Sequence, residues 1–163
     1  MFDKAILDKA QKLLELCAAK GLMIATVESC TGGLLAGCLT AVPGSSAVVE
    51  RGFVTYTNEA KSELVGVPQA LFVQYGAVSR QVASAMAGGA LEHAPVDLTA
   101  SITGVAGPGG GTADKPVGLV YIGAARRGHA AVVRENRFDG DRDAIRLASI
   151  DVALTMMLTA AED

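Results

Sequence analysis

The run Val27-Glu28-Ser29-Cys30-Thr31-Gly32-Gly33 joins an apolar segment, Leu22 to Thr26, to an amphipathic one, Leu34 to Val42. A short apolar run suits a buried strand, and apolar residues three and four apart suit one helix face. The junction predicts a strand, Leu22 to Val27, that turns at once into a helix over Thr31 to Val42, with Leu34, Leu35, Cys38 and Leu39 inward. Ser29 then sits at the tip of a sheet. Free N–H groups at a helix start, and the helix dipole, stabilise negative charge nearby. A hydroxyl held there is either a nucleophile beside an oxyanion site or one contact in a phosphate cradle. The run alone leaves both open.

The same pattern extends along the chain. Ile6, Leu7, Ala10, Leu13, Leu14 and Cys17 mark one face of an opening helix that Gly21 stops. Gly52 to Thr57 reads as a strand, with Asn58 capping a short helix through Val65. Pro68 starts another helical piece ending near Gly76. Ser79 caps a helix rich in small residues, in which Gly88-Gly89 implies close backbone packing. Val96 to Thr103 is a strand, and Gly104 to Pro116 a glycine-rich loop. Val117 to Arg126 and Ala130 to Phe138 form a hairpin about Arg127-Gly128-His129. Asp139-Gly140-Asp141 introduces a last helix to about Ala161. Helix–strand alternation with a late hairpin predicts one α/β domain, a three-layer α/β/α sandwich. Its sheet is mixed, mostly parallel with an antiparallel member. The last helix carries two apolar stripes: Ile145, Ala148, Val152 and Met156, and Leu147, Ile150, Leu154 and Leu158. One stripe faces the sheet. The other needs cover, either from a second copy of the chain, giving a homodimer, or from a broad groove within one monomer.

A chain of 163 residues can bury a substantial core. Its net charge of −3, with no long basic run, argues against nucleic acid or an anionic membrane as partner. No apolar stretch reads as long enough to cross a bilayer, and the N-terminus enters a helical pattern without the apolar core of a signal peptide. Cys17, Cys30 and Cys38 lack metal-type spacing; Cys17 and Cys38 read as small buried residues. A reduced, cytoplasmic protein is expected.

In an open α/β sheet, ligands bind beyond the carboxyl ends of the strands. Ser29, the segment after Tyr56 and the loop after Thr103 all emerge there on this reading, so one site is expected. The loop Thr103 to Thr112 can bring backbone N–H groups close to an anion. It has no Gly-Lys-Ser/Thr and no following helix, so it is neither a Walker loop nor a dinucleotide fingerprint, and a plain connector is the competing reading. A triad needs a histidine, yet His93 and His129 fall at a helix end and a hairpin turn. Lysine is the usual replacement once its environment lowers its pKa. Lys61, one turn into the helix after Tyr56, is the best placed; a solvated surface lysine is its plainer reading. Tyr56 could donate to a substrate or relay a proton, or be a packed strand aromatic. Glu28 could orient a base or pair with a cation. Cys30 is a rival nucleophile, since a helix N-terminus lowers a thiol's pKa. Arg142 and Arg146 share a helix face and could bind a phosphate or carboxylate, or pair with Asp139 or Asp143. No metal site is read from the spacing of histidines and carboxylates.

Glu28-Ser29-Cys30-Thr31-Gly32-Gly33, Gly52-Phe53-Val54-Thr55-Tyr56-Thr57-Asn58-Glu59-Ala60-Lys61, Thr103 to Gly111, Lys115-Pro116-Val117-Gly118-Leu119-Val120-Tyr121 and Gly140-Asp141-Arg142 together resemble the CinA C-terminal domain family. The resemblance covers nearly the whole chain. The family includes stand-alone nicotinamide mononucleotide (NMN) deamidases of the PncC type, which release ammonia and nicotinic acid mononucleotide. Many relatives carry an additional N-terminal domain linked to nucleotide pyrophosphatase activity. A chain of this length has no room for it, so that activity is not expected. The resemblance implies that Ser29 is the nucleophile and Lys61 its base, with Tyr56 nearby and Thr103 and Arg142 as further site residues.

The expected mechanism follows. Lys61 takes the Ser29 proton, and the oxygen attacks the carboxamide of a nucleotide substrate. The backbone at Cys30, Thr31, Gly32 and Gly33 holds the oxyanion. The loop at Gly104, Gly107, Gly109 and Gly110, with Arg142, holds the 5′-phosphate. No cofactor is required. Two alternatives stand beside it: a non-catalytic nucleotide-binding or regulatory module, and an amidase for a different pyridine nucleotide amide.

Overall fold

The structure, a computed structural model, describes residues 1–163. Its helices are α1 (Lys4–Lys20), α2 (Leu34–Thr40), α3 (Asn58–Val65), α4 (Gln69–Tyr75), α5 (Arg80–His93) and α6 (Arg142–Glu162). Its strands are β1 (Ile24–Glu28), β2 (Val49–Val54), β3 (Leu98–Gly104), β4 (Leu119–Arg126) and β5 (Val132–Arg137), in the sheet order β2-β1-β3-β4-β5. β1 pairs in parallel with both β2 and β3. β4 is antiparallel to both β3 and β5, so four strands share one direction and β4 alone is reversed. The expected three-layer α/β/α sandwich with a mixed, mostly parallel sheet is what forms.

Period-two alternation distributes β1 between the layers. Ile24 joins the large core on the face covered by α1, α2 and α6, while Val27 joins Val65, Val82 and Met86 on the face covered by α3, α4 and α5. Chain connections leave β1 toward β2 on one side while β3 lies on the other, so the crevice at the carboxyl ends of β1 and β3 is a topological switch point. Of the Gly88-Gly89 pair, only Gly89 is closely packed: a Cβ there would lie 1.9 Å from the Val65 carbonyl oxygen of α3, whereas one at Gly88 would meet nothing within 4 Å.

Several boundaries differ from the sequence expectation. β1 runs from Ile24 through Glu28, later than Leu22 to Val27. α2 begins at Leu34 rather than Thr31, because Gly32 and Gly33 hold φ of +56° and +98°, outside helical space. β2 ends at Val54, so Tyr56 and Thr57 lie beyond it. Thr57, not Asn58, caps α3, accepting from the Ala60 N–H at 3.0 Å.

α6 also corrects one expectation. An 18-residue window of it has mean hydropathy 1.5, so by length and composition it is long and apolar enough to cross a membrane. Here it is a core helix packed on β3, β4 and α1. Lys9 of α1 reaches Asp151 Oδ1 at 2.6 Å and Thr155 Oγ1 at 3.0 Å across it. Ile145, Ile150, Leu154 and Met156 are buried, and Leu147, Ala148, Val152 and Leu158 are half-buried. Most of the cover sought for the second stripe therefore comes from α1 within the chain.

Candidate active site

The site begins where β1 runs out. Glu28 and Ser29 point into opposite layers, as consecutive strand residues must. Glu28, fully buried, turns toward α2 and accepts the Leu35 and Ala36 N–H groups at 2.8 and 3.0 Å; the Thr26 hydroxyl also donates to it at 3.3 Å. It therefore neither orients a base nor pairs with a cation: it caps α2 from the end of a neighbouring strand. The Ser29 N–H continues the sheet ladder to the Ile102 carbonyl of β3 at 2.9 Å. Its side chain faces α3.

α3 brings Lys61 to meet it. Lys61 and Val65, one turn apart, form the buried face of this short helix. Lys61 is 1% exposed, and its Nζ lies 3.0 Å from Ser29 Oγ, 2.8 Å from the Thr55 carbonyl oxygen and 3.3 Å from that of Tyr56. No carboxylate accompanies it. Burial pushes the amine down from 10.5 to about 8. The plainer reading of Lys61 as a solvated surface lysine is overturned by this burial. Burial acts oppositely on Cys30, raising its thiol to about 11, so Cys30 is a poor nucleophile beside Ser29.

Residues 29–33 form a turn rather than the first turn of a helix. Gly32 N–H donates to the Ser29 carbonyl at 3.0 Å and Leu34 N–H to that of Thr31 at 3.0 Å. The Gly32 N–H is thus occupied, against its expected part in holding an oxyanion. The N–H groups of Cys30, Thr31 and Gly33 donate to no backbone acceptor. The Thr31 hydroxyl is buried without a partner. Two carbonyls of this turn are held from α6: Arg146 donates through Nε to Cys30 at 3.2 Å and through Nη2 to Thr31 at 2.9 Å. Neither Arg146 nor Arg142 pairs with Asp139 or Asp143.

Arg142 ties the two other loops together. Its Nη1 donates to the Gly107 carbonyl at 2.6 Å and its Nη2 to the Tyr56 hydroxyl at 3.3 Å. Asp141 caps α6 beneath it, accepting from the Ala144 N–H at 2.9 Å. Tyr56 is 59% exposed, so it is not a packed strand aromatic; its ring stands at the mouth of the site. Thr103 is buried, and its hydroxyl donates to the Ala77 carbonyl at 2.9 Å. Gly104 closes β3 against β4, where a Cβ would come within 2.8 Å of Leu119 O. Gly109 and Gly110 are exposed at the loop's tip. The histidines stand apart. His93 Nδ1 pairs with Gly89 O at 2.8 Å, and His129 follows Arg126, which registers with Leu98 at the other end of β3.

Sequence reasoning missed three supports of this site: Glu28 as a cap, Thr57 as the cap of α3, and Arg146 on the Ser29 turn. Thr57 carries a local signal, a threonine three residues before Ala60 at a helix start. Glu28 lies seven residues from Leu35 and Arg146 lies 115 from Thr31, so no local pattern reveals either.

The profile of the CinA C-terminal domain matches residues 7–161. The chain is 44% identical to the nicotinamide-nucleotide amidohydrolase PncC of Enterobacter agglomerans, covering 97% of this chain and 96% of that protein. It is 44% identical to the protein of the same name from Escherichia coli K12, covering 94% and 93%. A putative competence-damage inducible protein of Caldicellulosiruptor bescii is 46% identical over 95% of this chain but only 37% of its own length. The crystal structure of the competence/damage inducible protein CihA from Agrobacterium tumefaciens superposes with a TM-score of 0.96 at 47% identity, covering 100% of this chain and 99% of that one. With the profile matched along almost its entire length, the chain belongs to the CinA C-terminal domain family.

Proposed function

We propose that this chain is an amidohydrolase that converts NMN to nicotinic acid mononucleotide and ammonia, with Ser29 as nucleophile and Lys61 as base. The observation that carries the reading is the buried Lys61 amine, 3.0 Å from Ser29 Oγ and lowered to about 8. A neutral amine has two N–H bonds and one lone pair. The Thr55 and Tyr56 carbonyls, 2.8 and 3.3 Å away, accept the two N–H bonds, which leaves the lone pair for the Ser29 hydroxyl proton. Lys61 takes that proton as Oγ bonds to the carboxamide carbon. Backbone N–H groups at Cys30 and Thr31 receive the oxyanion, an effect of about 3 kcal/mol per donor in well-studied hydrolases. The C–N bond breaks, and Lys61 returns its proton to the departing ammonia. Water then attacks the nicotinoyl ester, giving a proton to Lys61, which passes it to Ser29 Oγ as the ester bond breaks. The pyridinium charge of the substrate draws electrons from the carboxamide and assists the first attack. Arg142, Tyr56 and the Gly107–Gly110 loop line the mouth where the phosphoribosyl group binds.

The reading suits a reducing cytoplasm, since all three thiols are free. The test is ammonia release by the purified protein from NMN, nicotinamide, nicotinamide riboside and glutamine. Release from NMN above the unphosphorylated amides is expected, with Ser29→Ala and Lys61→Ala each reduced about 10³-fold or more. Lys61→Arg is expected to be equally inactive, because a guanidinium stays protonated. Near wild-type turnover in any of the three overturns the dyad. NMN affinity without turnover in the wild type would instead indicate a nucleotide-binding module, and turnover of another amide alone a different amidase.

A further inference from the structure

Arg146 takes no part in the hydrolytic steps above, yet it touches the Ser29 turn twice. Its guanidinium has no carboxylate within ion-pair distance. Its charge is spent on two successive backbone carbonyls, Cys30 at 3.2 Å and Thr31 at 2.9 Å. In a trans peptide unit the carbonyl oxygen and the amide hydrogen point in opposite directions. A cation fixed on the oxygen therefore turns the N–H of the same unit away from itself and polarises it.

The two bonds lead to two different N–H groups. Cys30 C=O shares its peptide unit with Thr31 N–H, which donates to no backbone acceptor. Thr31 C=O shares its unit with Gly32 N–H, which donates to Ser29 C=O at 3.0 Å. Ser29 C=O in turn shares its unit with Cys30 N–H, which again donates to no backbone acceptor. Bonds in such a chain polarise one another. One guanidinium thus acts on two of the turn's three free N–H groups, on Thr31 directly and on Cys30 through a relay.

We propose that Arg146 is a positioning residue for the hydrolytic step: it orients and polarises the Cys30 and Thr31 N–H groups that receive the oxyanion, and does not hold the substrate phosphate. This rests on the amidohydrolase reading above. Its partner one turn earlier, Arg142, is spent on Gly107 and Tyr56 instead.

The experiment compares Arg146→Gln and Arg146→Lys with the wild type in steady-state NMN hydrolysis across pH 6 to 10, and in the rate at which a fluorophosphonate probe labels Ser29. The labelling forms an O–P bond, expels fluoride and passes the serine proton to Lys61, so it needs no NMN. Arg146→Gln is expected to lower kcat about 10- to 100-fold with KM changed less than about threefold, and to slow labelling to a similar degree. Arg146→Lys is expected to fall between, since one ammonium cannot span both carbonyls as a fork does. In both, the rise of activity with pH is expected to stay centred near 8, as for a still-buried Lys61. A rise in KM at unchanged kcat overturns the proposal in favour of phosphate binding. A pH profile moved toward 10 overturns it in favour of general loosening that lets water reach Lys61. If Arg146→Gln does not fold, Arg146→Lys decides, and wild-type kcat and labelling in it overturn the proposal. If the wild type is labelled at Ser29 but releases no ammonia from NMN, the substrate assignment falls while the labelling comparison still judges Arg146.

Discussion

Lys61 is surrounded by neutral oxygens: one hydroxyl and two backbone carbonyls. An ammonium there loses hydration without gaining a counter-ion, which is why its pKa drops. Activity is expected to rise with pH through about 8 as the neutral base becomes populated, which a pH series of kcat/KM checks. Stability carries the same signature. The folded-state value, about 8, lies below the ordinary 10.5, so between these values the unfolded chain binds more protons than the folded one. Stability contributed by this group therefore rises with pH across that window and is lowest below it, a span of about 3 kcal/mol at most. Denaturant unfolding from pH 7 to 10.5 is expected to show this rise in the wild type and to lose it in Lys61→Met; an equal rise in both removes the assignment. That lysine was legible in the sequence as a candidate because it lies one turn into the helix after Tyr56 and neither histidine is suitably placed. Its burial was not, because Thr55, Tyr56 and Ser29 enclose it only when two separate strand ends are adjacent.

At the scale of elements, the turn and its helix depend on Glu28. A buried carboxylate that accepts two helix N–H groups satisfies donors that would otherwise be stranded and sits favourably on the helix dipole. Glu28→Ala is expected to lower unfolding free energy by about 2 kcal/mol or more, since each buried unpaired N–H costs about 1–3 kcal/mol. Equilibrium urea unfolding measures it, and a change within about 0.5 kcal/mol, the range of ordinary surface substitutions, would remove the capping role. Most elements were legible from apolar period and caps: α1 before Gly21, α5 behind Ser79, α6 behind Asp141. Some of the boundaries that moved lie at the site. Gly32 and Gly33 take positive φ and delay α2, and β2 ends before Tyr56, because these segments are shaped by contacts with β3, α3 and α6 and not by local propensity.

At the scale of the molecule, direct bonds from β3, α3 and α6 gather the loops of the site: Ile102 holds Ser29, Lys61 reaches Ser29, and Arg142 holds both Gly107 and Tyr56. The half-buried residues of α6, Leu147, Ala148, Val152 and Leu158, remain the surface on which a second copy of the chain is proposed to pack. Sedimentation at micromolar concentration is expected to give twice the 16.6 kDa chain mass, and a monomer would remove that proposal. The sequence by itself determined the layers, the mixed sheet, and Ser29 at a strand's carboxyl end, because apolar period and glycine punctuation are local properties of the chain. Only the tertiary structure decided that Glu28 caps, that Lys61 loses its water, and that Arg146 grips the serine's turn. Each of these depends on which groups from distant segments share one small, poorly hydrated volume, and no short stretch of residues contains that information.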